Sequence, residues 1–169
     1  MLEEILNAEA PALHVCDVGC GKGCYLRNLL KDTAERTIKF SCADISEKVM
    51  RKIPAAVEKR QGSLLQIPYE DEMFEIVYVA EALEHAICAE NAVKELLRIT
   101  KPGGKVIVID KNRHAKGLLE VEEWEQWFDD AFFAELAARH KFRLEIRENL
   151  SYNDHVQDRL FNGWILHKE

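Results

Sequence analysis

Apolar positions along the chain fall into short continuous runs that alternate with stretches of helical spacing. His14 to Val18 has the length and character of a strand. Leu26, Leu29 and Leu30 then share one face of a helix predicted over Gly23 to about Ala34. Ile38 to Ala43 predicts a second strand that ends in Asp44, and Ser46 stands at the N-cap of a segment carrying Val49, Met50 and Ile53 on one face before Pro54 stops it. Val57 to Arg60 is a short, polar candidate for the third strand, and Phe74 to Val79 is an apolar fourth. After EALEHA, a helix presents Val93, Leu96 and Leu97. The turn Lys101-Pro102-Gly103-Gly104 stops it, and Lys105 to Asp110 forms the fifth strand. Glu120 to His140 has the pattern of one or two helices with a break near Asp129-Asp130. Phe142 to Arg147 and Phe161 to His167 close the chain as strands.

Strands alternating with helices argue for a parallel sheet covered on both faces. Seven strands without an internal repeat, linker or low-complexity tract predict a single domain across residues 1–169, long enough to bury most of its apolar surface. The net charge of -7 gives the whole molecule no electrostatic footprint for nucleic acid or an anionic membrane. Lys101, Lys105, Lys111, Arg113 and Lys116 lie close in sequence, as a local basic patch or as solvated side chains. No apolar run approaches the roughly 18 residues of a membrane span. The opening MLEEILNAEAPA carries acids where a secretory signal needs a basic start. Five cysteines, an odd number with several in strands, predict reduced thiols and a cytoplasmic location. Cys16, Cys20 and Cys24 match neither paired zinc hooks nor iron–sulfur runs, so no metal is expected and they are read as small residues in tight space.

Candidate chemistry concentrates at Asp17 to Gly23, DVGCGKG, where glycines permit a tight turn and the close approach of a ligand. A dinucleotide fingerprint wants its third glycine at position 24, which is Cys24. A P-loop wants Ser or Thr after its lysine, but Gly23 follows Lys22. Asp17 would repel a pyrophosphate and suits a ligand with a cationic centre or an amino group. Its other role is to hydrogen-bond loop amides, and the two are compatible. Asp44, about twenty residues on, is placed to accept both hydroxyls of an adenosine ribose, with a helix N-cap as the alternative.

DVGCGKG, ADIS, GSLLQIPYEDEMFEIVYVAEALEH and ELLRITKPGGKVIVID occur in this order between about Leu13 and Asp110. Together they resemble the class I methyltransferases that depend on S-adenosylmethionine (SAM), closest to the broad type 11 group that includes the ubiquinone/menaquinone-biosynthesis enzymes. From Lys111 onward the likeness is architectural. The resemblance implies an α/β, Rossmann-like, doubly wound seven-stranded sheet of order 3-2-1-4-5-7-6, its last strand antiparallel. It implies SAM as methyl donor, with Asp17, Gly19, Cys20, Gly21 and Gly23 around the methionine part and Ala80 and Glu81 lining the methionine end. Asp44 would hold the ribose, with Ile45 against the adenine face. Family members usually carry an acid for the adenine amino group after the glycine of the third-strand loop. Here Ser63 follows Gly62, leaving adenine to the Ser63 hydroxyl, the Leu64 backbone amide, or shape.

Methyl transfer from a sulfonium is an in-line displacement by an activated reagent, so the protein aligns the acceptor and removes its proton where needed. His85 is the candidate catalytic base. A structural or cofactor-side role competes, because Leu-Glu-His is shared by members with different substrates. Glu84 is read as a helix-start residue. Asn112, Arg113 and His114, within DKNRHAKG, either face an acceptor, Arg113 suiting an acidic one, or form an exposed loop. Trp124, Trp127 and Phe128 have the spacing of a buried helix face. Tyr152, Asn153, Asp154 and His155 form a polar loop of no assigned use. Leu2, Ile5 and Leu6 allow one short helix before the first strand, which predicts little or no N-terminal lid. The site is then open to a large acceptor, a partner chain or the rest of a longer parent protein.

The expected function is methyl transfer to a small molecule, at an O, N or C atom. Competing readings are a protein or RNA acceptor, a non-catalytic SAM-binding module or subunit that activates a partner, and a nicotinamide dehydrogenase. Nucleic acid is disfavoured by charge and by the lack of a base-stacking aromatic motif. Amide or base-nitrogen methylation is disfavoured because no Asn-Pro-Pro-Tyr-type motif follows the fourth strand.

Overall fold

Successive residues of the inner strands enter opposite hydrophobic layers, and this alternation builds the molecule. The computed structural model describes residues 1–8, 12–116, 123–150 and 159–169. In chain order its elements are α1 (Leu2–Leu6), β1 (Leu13–Val18), α2 (Cys24–Asp32), β2 (Ile38–Asp44), α3 (Glu47–Met50), β3 (Glu58–Gln61), β4 (Phe74–Ala80), α4 (Ala89–Ile99), β5 (Thr100–Lys111), α5 (Asp130–His140), β6 (Phe142–Leu150) and β7 (Phe161–Lys168). Single 3₁₀ turns occupy Leu83–His85 and Arg113–Ala115.

The strands form one sheet of order β3-β2-β1-β4-β5-β7-β6. β1 pairs in parallel with β2 and β4, β2 with β3, and β4 with β5, while β7 runs antiparallel to β5 and β6. This is the Rossmann-like order that the family resemblance implied. In β4, Ile76 and Tyr78 join Val15, Leu26, Phe40 and Ile107 in one layer. Val77 and Val79 join Leu96, Val106, Phe133 and Trp164 in the other. Strands buried on both faces read as continuous apolar runs, which is why β1, β4 and β5 were conspicuous in the sequence. β3 is an edge strand with charged, exposed side chains, so only its polarity obscured it.

Two boundaries differ from expectation. β5 begins at Thr100, directly after α4. Its pairing with β4 then steps from Phe74↔Thr100 to Ile76↔Lys105, so Pro102-Gly103-Gly104 bulges out of the ladder instead of preceding it. The helix expected to carry Trp124, Trp127 and Phe128 is not formed there: residues 123–129 are irregular, and Trp124 is 67% exposed while Trp127 and Phe128 are buried. The helical spacing was accidental, and the helix starts where Asp129-Asp130 suggested a break. Positions 120–122 of that segment, Gly117, Ala10 and the Tyr152–His155 loop lie outside the described residues, as do the side chains of Leu2 and Leu6. Among the described residues no helix is long and apolar enough to cross a membrane, and all five cysteines are free.

The Asp129 carboxylate caps α5 by accepting from the Phe132 amide at 3.0 Å. Asp129→Ala is expected to cost about 1 kcal/mol of stability in urea unfolding, the usual worth of an N-cap. The nearby Arg113 guanidinium, 65% exposed, adds little to that loss.

Candidate functional site

β1 is flanked by β2 on one side and β4 on the other, so the connections leaving β1 and β3 wind in opposite directions and open a crevice at the strands' C-terminal ends. The glycine turn fills the floor of that crevice. Gly19 has φ +74°, and a Cβ there would sit 2.5 Å from the Ala82 Cβ, so the turn and the segment after β4 touch because residue 19 is glycine. The Gly19 and Cys20 amides both donate to the Ala43 carbonyl, at 2.8 and 3.2 Å. Gly23 then enters α2 from the left-handed region, where a Cβ would meet the Ile53 side chain at 2.7 Å.

Asp44 ties the turn to the neighbouring strand. One carboxylate oxygen accepts from the Gly21 amide at 2.8 Å, and the other accepts from the Ser46 amide at 2.9 Å. Ser46 occupies the N-cap of α3 without bonding through its hydroxyl, so Asp44 serves both the turn and the start of the next segment. A carboxylate offers about four lone-pair directions, so half of its capacity stays open.

The crevice encloses about 400 Å³, within the range of small-molecule sites. Of the residues expected from sequence, Gly19, Asp44, Ile45, Ser63, Leu64, Glu81 and His85 line it. Val18, Gly62, Leu65, Ala82, Ala86 and Ile87 complete the wall. The exposed Ile87, 92% accessible beside His85, is an addition that no local pattern in the sequence signalled. Asp17, Cys20, Gly21, Gly23 and Ala80 do not line the crevice. Cys20, Gly21 and Gly23 belong to the turn itself, and Asp17 and Ala80 are buried in β1 and β4. The Ser63 hydroxyl accepts from the Leu65 amide at 3.1 Å, which leaves its own hydrogen free to donate. Among the described residues, Asp44 and Glu81 supply negative charge to the lining and no lysine or arginine faces them.

Asp17 is 3% exposed. Burial pushes its carboxyl up to about 7; the adjacent Tyr78 hydroxyl pulls the other way, and the charge of Asp44 adds to the rise. That hydroxyl meets no partner at strict hydrogen-bond geometry, so its effect on Asp17 is a close dipole and not a formed bond.

Glu84, expected to start a helix, lies in the 3₁₀ turn Leu83–His85, and it is also 2% exposed and sits in a buried polar cluster. Its carboxylate holds the Lys111 ammonium, which also bonds Glu125 at 2.9 Å. Its backbone amide donates to Asp110 at 3.1 Å. Burial lowers the affinity of Lys111 for its proton, but Glu84 and Glu125 more than offset this and leave its pKa raised. Burial, and then the charge of Glu84, push Asp110 well above the ordinary carboxylate range. His85 Nε2 lies 3.4 Å from the second Glu84 oxygen, with its ring half exposed to the crevice. Glu84, His85 and Glu125 bring their ligand atoms within 4.8 Å of one another, and the cation found among them is the Lys111 ammonium.

Fold and crevice together define a nucleotide-type α/β site that carries carboxylates where phosphate-binding proteins carry cations and amides. A family model for the methyltransferase domain matches residues 16–108, and the chain belongs to this family of SAM-dependent methyltransferases. It is similar to a tocopherol O-methyltransferase of Arabidopsis thaliana, 31% identical over 121 residues that cover 66% of this chain and 34% of the relative. It is also similar to a 2-methyl-6-phytyl-1,4-hydroquinone methyltransferase of Synechocystis, 30% identical over 139 residues, covering 75% and 44% respectively. The chain thus spans less than half the length of these curated relatives. Among solved structures, phosphoethanolamine N-methyltransferase 2 of Haemonchus contortus, in complex with SAM, superposes with a TM-score of 0.73 at 14% identity. The match covers 99% of this chain and 51% of that one and shows the shared fold.

Asp17 yields a pH-dependent prediction. An acid whose folded-state pKa is raised takes up a proton on folding between its ordinary value and about 7, so stability falls as pH rises across that window. Asp17→Asn removes the penalty. In paired urea titrations the variant should exceed the parent by on the order of 3 kcal/mol at pH 8 and match it near pH 4. Equal differences at both pH values would show that Asp17 is ionised throughout.

Proposed function

We propose that this chain transfers a methyl group from SAM to a small organic acceptor that enters on the His85–Ile87 side of the crevice. The observation that carries this reading is the charge of the lining: carboxylates from two strand ends and, among the described residues, no lysine or arginine. A pyrophosphate-bearing dinucleotide would meet repulsion there, whereas a sulfonium with an ammonium group meets attraction.

The residues fit SAM part by part. Asp44 keeps lone pairs open for the ribose hydroxyls after serving Gly21 and Ser46. Ile45, 72% exposed, offers an apolar face to the adenine ring. Ser63, whose hydroxyl hydrogen is free to donate, would face the adenine in place of the carboxylate that family members usually carry there. Leu64 and Gly19 line the crevice beside it. Cys20, Gly21 and Gly23 form the turn that would carry the methionine part, with Asp17 and Ala80 in the strands that hold it. When bound, SAM supplies a methyl group already activated by its sulfonium.

The chain's own contribution is alignment and proton removal. His85 faces the crevice with Glu84 behind its Nε2, an arrangement that orients the ring. The acceptor wall is apolar, formed by Leu65, Ala86 and Ile87. The relatives' names, tocopherol and a phytylated hydroquinone, point to acceptors of the same character, so hydroquinones lead the screen. A second reading, a SAM-binding subunit completed by a partner chain, is favoured by the exposure of Ile87. Methyl transfer by the purified chain alone would exclude it.

Calorimetry with S-adenosylhomocysteine (SAH) and NAD tests the cofactor assignment. SAH should bind in the micromolar range and NAD should not; the opposite pattern overturns it. Asp44→Ala should weaken SAH by roughly 100-fold, the loss of two hydrogen bonds to a charged group. His85→Gln, assayed with an acceptor found by the screen, should lower kcat by about 100-fold or more and leave SAH affinity within about twofold. Unchanged kcat would reduce His85 to a wall residue.

A further inference from the structure

A second cavity, with a chemistry of its own, lies between the segment that leaves β5 and the start of α5. It encloses about 330 Å³ and shares no lining residue with the crevice. Gln126 stands between the two: its backbone amide donates to the Glu84 carbonyl at 3.1 Å, and its side-chain amide donates to the carbonyl of Ala86. Part of the cavity wall is aromatic. Trp127 and Phe128 are buried there, and the Phe132 ring packs on Phe128 with centroids 5.2 Å apart. Arg113 and Lys116, both exposed, supply the cations.

The polar groups of this wall are unevenly used. Glu125 is held by Lys111 at 2.9 Å, and Asp129 by the Phe132 amide at 3.0 Å and more loosely by Arg113 at 3.4 Å. Lys116 pairs with no carboxylate among the described residues. Trp127, 8% exposed, leaves its buried Nε1–H without an acceptor. A buried donor with nothing to bond carries a free-energy penalty, which an acceptor seated against it removes. The unpaired groups are therefore both donors, an ammonium and an indole N–H, and they stand beside aromatic rings. We propose that this cavity is a second ligand site and that it takes a small aromatic carboxylate. The ligand ring lies against Phe128 and Phe132, and the carboxylate turns to Lys116 and Arg113, with one oxygen accepting from the Trp127 N–H. A bare inorganic anion would lose the rings, and a neutral arene would lose the cations. The site stands whatever the crevice holds, because its lining is separate.

Titrating benzoate into the isotope-labelled full chain by NMR tests the site, with benzyl alcohol and inorganic phosphate as the neutral and the ring-free controls. Benzoate should bind in the millimolar range or tighter and move the one indole N–H resonance that Trp127→Phe removes. Each control should bind at least about fivefold more weakly, the loss of a charge-assisted bond or of the aromatic contact. Lys116→Gln, an exposed change that leaves the core intact, should weaken benzoate about three- to tenfold. Saturating SAH should leave benzoate affinity within about twofold, as expected of two separate cavities. Benzoate that fails to bind, that leaves the Trp127 indole resonance unmoved, or that ignores Lys116→Gln overturns the proposal. So does a control that matches benzoate. Competition by SAH also overturns it, because it places benzoate in the crevice.

Discussion

Everything in this molecule follows from the position of β1 between two parallel neighbours. Parallel strands must be re-entered from the same end, so β1, β2, β4 and β5 all finish at one edge of the sheet. Each brings an acid to that edge: Asp17 in β1, Asp44 at the end of β2, Glu81 just after β4, and Asp110 near the end of β5. Like charges converging in a partly buried space raise one another's pKa, and the fold resolves the crowding in three ways. Asp17 is buried and shifted toward its neutral form. Asp44 is held by backbone amides of the glycine turn and of Ser46. Asp110 is shifted upward beside Glu84, whose own charge meets Lys111. Of these four acids, Asp44 and Glu81 reach the crevice lining, and their charge favours a ligand that carries positive charge.

The parts legible in the sequence are those with a local cause. The glycine turn was readable because backbone sterics demand glycine where the turn meets Ala82 and Ile53, and the inner strands because burial on both faces removes polar residues from them. Asp44 was readable because its spacing from the turn is set by one strand–helix–strand unit. What escaped depends on contacts between distant segments. Glu84 was legible as an acid of the turn after β4 but not as the partner of Lys111, because nothing local announces that Lys111, 27 residues on, will reach it. Trp124, Trp127 and Phe128 had helical spacing, but the bonds of that segment go elsewhere: Gln126 to the Glu84 and Ala86 carbonyls, and Phe128 to the Lys111 carbonyl. Ile87 could be found only once the crevice gave its exposure a meaning.

The buried cluster around Lys111 is better understood as a device for placement than for stability. Removing two charges from water costs several kcal/mol per ion, and their mutual attraction repays this only with good geometry, so an apolar replacement of similar volume would often serve stability as well. What an apolar replacement would not do is fix three separate segments in one register. Lys111 lies at the end of β5, Glu84 in the turn after β4, and Glu125 in the irregular stretch before α5. The ammonium meets both carboxylates at once. That stretch is further stitched to the turn by the Gln126 amide on the Glu84 carbonyl at 3.1 Å. His85 follows Glu84 directly and leans on its second oxygen, so the ring's position in the crevice wall is inherited from the cluster and not set by its own packing. An acid that faces a buried cation on one side and an imidazole on the other links the two. A change that loosens Lys111 therefore reaches the crevice through His85, even though Lys111 itself does not line it.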